Sequence, residues 1–304
     1  MTLPSSGLLS MSQVNVELQR SPNSPLNLND PIVRALAGIP SGPYWMSALY
    51  GKTYEVHATL SNHITTGRYN IDQLFSESDR RYKKCVLTVS ACKLGGGDRT
   101  WGSLHSASGD WNDLVVNITG GSFIAGAGGN GGAHVGACGQ GQARGDGGHG
   151  ITFIAGSNAR VWVEDGSTVA GGGAGGDFGW YLACGYSNSG TGGAGGGGAG
   201  FPAGLGGPNG SNSGNCYCSS ANVGQPGNDW TGGEYGHATG FGNGCPQGGT
   251  ASARHGSRGG SLGQPASRPD GCYPFAPHGS PGNAIINARS VGTGTTAKVL
   301  GAIV

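Results

Sequence analysis

A chain of 304 residues with a formal charge of +1 and no basic block has room for about two domains and carries no nucleic-acid footprint. Charged residues make up only 11% of it, against roughly 25% in average proteins, so the charge-rich composition of simple disorder is absent as well. Met1 opens onto Thr2, Leu3, Pro4 and Ser5 with neither a basic nor an apolar leader region, and no run is long enough to span a bilayer, so we expect neither a signal peptide nor membrane insertion.

Short helices are expected over residues 1–53. Ser10 and Gln13 have capping-box spacing, with Leu9 and Val14 placed as a hydrophobic staple. Asp30 is positioned to cap a second helix that begins at Pro31 and stops at Gly38. Ser6-Gly7 followed by Met11-Ser12 repeats as Ser41-Gly42 followed by Met46-Ser47, so two like helix starts flank the middle helix, as in a compact docking unit. Residues 54–118 read as strands: 54–60 alternate weakly, 85–93 alternate well, and 113–119 (DLVVNIT) lead into different material. On one strand Cys85 and Cys92 would face opposite ways, so they are not expected to pair with each other.

The composition changes near residue 119. Of the 66 glycines, 10 precede Thr119 and 56 follow it, and Lys298 is the only lysine after Lys93. Three segments share one form, SFIAG at 122–126, TFIAG at 152–156 and STVAG at 167–171, and the first and third run straight into glycine tracts. So few side chains cannot bury an ordinary core. Glycine has no strict every-third period, which excludes a collagen triple helix. Interrupting aromatics and cysteines argue against a flexible linker. The remaining ordered arrangement is a bundle of polyglycine II helices bonded laterally through their backbones. The expected fold is therefore mainly irregular and β: a small α+β N-terminal attachment domain (1–118), then a polyglycine II bundle with short β segments (119–304).

Six of the eight cysteines lie in the glycine-rich part without C-x-x-C spacing, so zinc is weakly supported and disulfides or free thiols both stay open. The G-x-G-x-x-G at 126–131 opens no helix and is what chance gives in so glycine-rich a chain, so no cofactor is expected. Glu164 and Asp165 are adjacent and would diverge on a strand, and no Ser–His–Asp order stands out, so no enzyme activity is expected. No metal site is expected either. The aromatic turns carry more signal. Trp180, Tyr181, Tyr186, Tyr217, Trp230, Tyr235 and Phe241 sit among Gly, Ser and Asn between the tracts, which is the composition of binding loops.

The segment LNLNDPIVRALAGIPSG (26–42), continued by Met46-Ser47 and Tyr50-Gly51-Lys52, resembles the start of many bacteriophage tail-fibre and tail-tip proteins. GNAIINARSV (282–291) and the terminal LGAIV (300–304) are similar to the endings of glycine-rich phage tail-tip proteins, and the middle is similar in kind to the tip adhesins of T-even long tail fibres. The resemblance implies a virion protein, made in the host cytoplasm, that docks to other tail or fibre proteins through its N-terminal part. Leu28, Val33, Arg34, Leu36, Met46 and Tyr50 lie in the matching segment as candidate attachment residues. It also implies that loops between glycine motifs meet a protein or glycan on the bacterial surface. The alternative is a glycine-rich tail-tip or fibre-cap component without receptor contact.

Overall fold

The computed structural model describes residues 3–39, 41–65, 67–134, 141–142, 145–176, 180–182, 189–191, 197–207, 220–221, 224–234, 238–239, 258–267 and 279–304. Two seven-residue helices open the chain. Helix α1 (Met11–Glu17) begins at Ser10, whose hydroxyl accepts from the Gln13 amide while the Gln13 side chain returns to the Ser10 amide. Helix α2 (Pro31–Ala37) is capped by Asp30 and ends at Gly38 in the left-handed region, with φ at 77°. A 3-10 turn follows at Met46–Leu49. Val14, Leu18, Val33, Leu36, Leu49 and Tyr54 form the buried centre of this unit.

The rest of the described backbone winds as a three-sided parallel solenoid. The first coil holds β1 (Glu55–Leu60), a bridge at Ile64, and β2 (Tyr69–Asn70), then α3 (Glu77–Tyr82). The second holds β3 (Lys84–Ser90), β4 (Lys93–Gly97) and β5 (Leu104–His105). The third holds β6 (Asp113–Thr119) and β7 (Phe123–Gly126), then a connection containing the hairpin β8 (Ala133–His134) and β9 (Gly141–Gln142), then β10 (Ile151–Thr152). The fourth holds β11 (Ala159–Val163) and β12 (Thr168–Ala170). A long connection follows, carrying β13 (Trp180–Leu182), β14 (Ser189–Thr191), β15 (Ser220–Ala221) and β16 (Ala238–Thr239), before β17 (Ile285–Ile286). The last coil holds β18 (Ser290–Thr293) and β19 (Lys298–Leu300). Stacking gives one sheet in the order β1-β3-β6-β11-β18, a second β2-β5-β10-β17 and a third β4-β7-β12-β19.

Register builds the core. Cys85, Leu114 and Ala159 stack in one ladder; Ala58, Leu87, Val116, Val161 and Val291 in the next; Leu60, Val89, Ile118 and Val163 in a third. Leu94, Ile124, Val169 and Val299 do the same in the third sheet, and Tyr69, Leu104, Ile151 and Ile285 in the second. Each side chain covers its counterpart one coil away, so every added coil buries apolar area on both sides, at roughly 1.5–3 kcal/mol for a fully buried Leu, Ile or Val. Cys85 and Cys92 are free, buried thiols, and burial pushes Cys85 up to about 12. The other six cysteines lie outside the described residues.

These sheets overturn the expected fold class. Among the described residues the regular architecture is three parallel sheets with three short helices, and no polyglycine II helix bundle is shown. No separate α+β domain is seen either, because β1, β3 and β6 share one sheet with β11 and β18 across residue 119. The physical reason is that the alternating segments around the glycine tracts find each other. The expected single strand over 85–93 is also two strands of different sheets, turned at Ala91 with φ of 50°.

Candidate receptor-binding end of the glycine connections

Both glycine connections leave the solenoid at one corner, between the third sheet and the second. In the second coil this corner is a short turn: Asp98 accepts from the amides of Thr100 and Trp101 at 2.8 and 2.9 Å. Those donors and the nearby Arg68 guanidinium hold its carboxyl below the usual range against the opposing effect of burial. In the third coil the corner expands to 127–150, and in the fourth to 171–284.

Glycine runs in these connections lie side by side, bonded through their backbones. Gly129 donates to Gly173 at 2.9 Å, Gly173 to Ala199 at 2.7 Å, Ala199 to Gly260 at 2.8 Å and Gly260 to Ala174 at 2.8 Å. Gly198 donates to Gly129 at 2.7 Å and Gly282 to Gly172 at 2.8 Å. A Cβ at Gly198 would sit 2.6 Å from the Gly173 carbonyl carbon and 2.8 Å from the Ala174 oxygen. Only glycine permits that approach. Most of these amides are satisfied by a neighbouring run, which is how a segment without side chains can be buried.

The turns divide into two levels. Near turns at 200–202, 228–231 and 261–264 face the third sheet. There Phe201 packs edge-on to Phe123 with centroids 6.4 Å apart, Trp230 lies 5.0 Å from Phe123, and Lys93 and Lys298 sit 4.0 Å from the Phe201 ring and 5.2 Å from the Trp230 ring. Lys93 also pairs with Asp229. Asn228 shapes its turn by accepting from the amides of Trp230 and Thr231. At the far level Gly132 donates to Gly176, Gly131 to Leu205, Gly175 to Gly145, Gly224 to Gly207 and Gln225 to Glu234. Arg258 pairs with Glu234 at 2.7 Å, Ser267 donates to Arg258, and Gly147 to Ser280. The connections 133–144, 177–196, 208–223, 235–257 and 268–278 therefore all leave and rejoin at this far level.

Sequence-predicted residues separate accordingly. Trp180 and Tyr181 stand on β13, paired with Thr191 and Gly190 of β14, within a far-level connection. Tyr186, Tyr217, Tyr235 and Phe241 lie outside the described residues. Trp230 sits at the near level, 45% exposed and packed on the solenoid. In the helical unit Val33 and Leu36 are buried, and Leu28 and Met46 pack partly buried against them. Arg34 lies 5.1 Å from the Tyr44 ring and donates to the Gly42 carbonyl, and the Tyr50 hydroxyl donates to Gly7. The large apolar side chains that this unit exposes are Leu8, Met11, Val16 and Trp45, Leu8 and Trp45 at 96% and 83%. Sequence reasoning passed over Trp45 although it stands directly before Met46 in the matching segment. Among the described residues no group of three or more His, Cys, Asp and Glu is placed to hold a metal.

A family model described as phage tail fibre adhesin Gp38 matches residues 55–304. No match was found among curated proteins. Among solved structures the chain is similar to the gp37-gp38 adhesin tip complex of the bacteriophage S16 long tail fiber, with 17% identity, 98% of this chain and 99% of that chain covered, and a TM-score of 0.47.

Proposed function

The chain belongs to the phage tail fibre adhesin Gp38 family and is a receptor-binding tail adhesin; on that premise we propose that the far ends of its glycine connections form the surface that meets the bacterium. The observation that carries this is the shared level at which five connections leave and rejoin the bonded glycine runs. Loops held at both ends by a rigid frame form one contact face, and Tyr and Trp supply rigid anchors in such loops. We assign Trp180, Tyr181, Tyr186, Tyr217, Tyr235 and Phe241 to that face, binding a surface protein or glycan without any reaction. Trp230 is assigned to the latch that holds the near turns on the solenoid. Replacing Trp180 with Ala should cut cell adsorption at least about tenfold, equivalent to about 1.4 kcal/mol, with the melting temperature unchanged. Unchanged adsorption would remove Trp180 from the contact.

Docking to the fibre is assigned to the N-terminal part, within 1–118, and recognition to 119–304. Two observations support the first assignment. The family match begins at residue 55 and leaves the helical unit outside it. That unit presents Trp45 and Leu8 to solvent on a framework whose own core is closed. A large exposed aromatic beside buried neighbours is the usual anchor of an interface.

A further inference from the structure

His149 lies where the first glycine connection rejoins the solenoid, two residues before β10, and is only 6% exposed. Asn283 lies where the second connection rejoins it, two residues before β17. The two rejoining points are joined by two bonds. The Asn283 amide donates to His149 Nδ1 at 2.9 Å, and the Gly150 amide donates to the Asn283 carbonyl at 3.0 Å. The His149 backbone is tied as well, donating to Asp98 at 2.9 Å and accepting from Ser103 at 3.2 Å. Because Nδ1 accepts, the ring proton of the neutral imidazole sits on Nε2.

We propose that the His149 side chain is an acid-sensitive clasp between the two points at which the glycine connections rejoin the solenoid. A proton on Nδ1 turns the acceptor into a donor aimed at the Asn283 N–H. The bond is lost, and a charge is left on a residue that is only 6% exposed. The surrounding charges leave that cost uncompensated. From the turn between β4 and β5, Arg99 opposes protonation and Asp98 favours it. Asp98 is already engaged by Arg68 at 2.9 Å, and its field is shared with His105 on β5. Asp146, on the run of His149 itself, pairs with Arg99 at 3.5 Å. The 279–284 run brings no charged side chain. Burial first, then Arg99, hold the imidazole below its ordinary value of 6.5. For a base held neutral in the fold, stability is fully present above 6.5 and is lost as pH falls below it.

The test is amide exchange on the full chain at pH 7.5 and 5.0, corrected for intrinsic rates. At pH 5.0 the protection of Gly150, Gly282 and Asn283 should fall relative to β6 amides, the sense that a folded-state pKa below 6.5 requires. His149→Asn supplies a carbonyl oxygen near the position of Nδ1 and does not titrate, so its protection should be the same at both pH values. Equal protection at both pH values in the wild type, or the same loss in the variant, would overturn the clasp. Should the variant not fold, NMR titration of the wild-type ring decides: a midpoint below 6.5 supports the clasp, and one at or above 6.5 overturns it.

Discussion

Gly198→Ala places one methyl group into the bonded glycine runs, and its effect can be worked from the contacts. The new Cβ would point at the Gly173 carbonyl, 2.6 Å from its carbon and 2.8 Å from the Ala174 oxygen. Ordinary carbon contacts lie at about 3.5–4.0 Å, so the neighbouring run must retreat by about 1 Å. The obstacle is backbone, which has no rotamer to escape into. Retreat strains the Gly173–Ala199 and Gly129–Gly173 bonds, now 2.7 and 2.9 Å, along with those of Gly198 to Gly129 and Gly204 to Gly198. Overpacking costs about 1–3 kcal/mol, and each weakened bond about 1 kcal/mol. The lower entropy of the unfolded Ala chain returns about 0.4–1 kcal/mol. With four bonds strained the net is a loss of about 4–6.5 kcal/mol, a fall in melting temperature of roughly 8–26 °C at about 2–4 °C per kcal/mol. Gly67→Ala is the control, because nothing lies within 4 Å of its Cβ position and its φ is not positive; it should change stability by at most about 0.5 kcal/mol. Calorimetry on the two variants decides the matter. A Gly198→Ala protein that melts within a degree of wild type would refute the claim that these runs are a packed frame.

Ile118→Ala removes a fully buried side chain from the Val89–Ile118–Val163 ladder and should cost about 2–5 kcal/mol; a urea unfolding midpoint equal to wild type would deny the solenoid its core. Trp230→Ala should lower the melting temperature by several degrees, since the ring packs on Phe123 and under Lys298; loss of adsorption at unchanged melting temperature would instead place it in the receptor contact. Trp45→Ala should leave melting unchanged, because the ring is 83% exposed, yet reduce incorporation into fibres; normal incorporation would clear Trp45 of a docking role.

Much of the local structure is legible in the sequence. Ser10 and Asp30 cap their helices as their spacing foretells, and 113–119 is a strand of that length. SFIAG and STVAG prove to be neighbours, β7 and β12, paired at Ile124 and Val169. The parallel stacking is not legible, because the coils lack a constant period. Strands of the first and third sheets begin close together within each coil, at 84 and 93, 113 and 123, 159 and 168, 290 and 298. The return to the second sheet is interrupted at 127–150 and again at 171–284, so the repeat disappears into its own insertions. Composition then points to glycine as the architecture, whereas the apolar ladders between the tracts hold the sheets together. The place of Trp230 is hidden for a related reason: an aromatic residue in a glycine-rich turn reads alike whether that turn faces the solenoid or faces away, and only the direction of the runs on either side separates the two.

The single corner from which both connections depart has a consequence for change over generations. Each far-level loop starts and finishes on backbone that is already fixed, so its length and composition are uncoupled from the strand register below. Doubling such a loop adds only about 0.6 kcal/mol of closure entropy, far less than one misplaced methyl among the glycine runs. If these loops are the contact face proposed above, mutation can rewrite what the protein sticks to while leaving untouched the scaffold beneath, and a shift to a new host need not begin with a new fold.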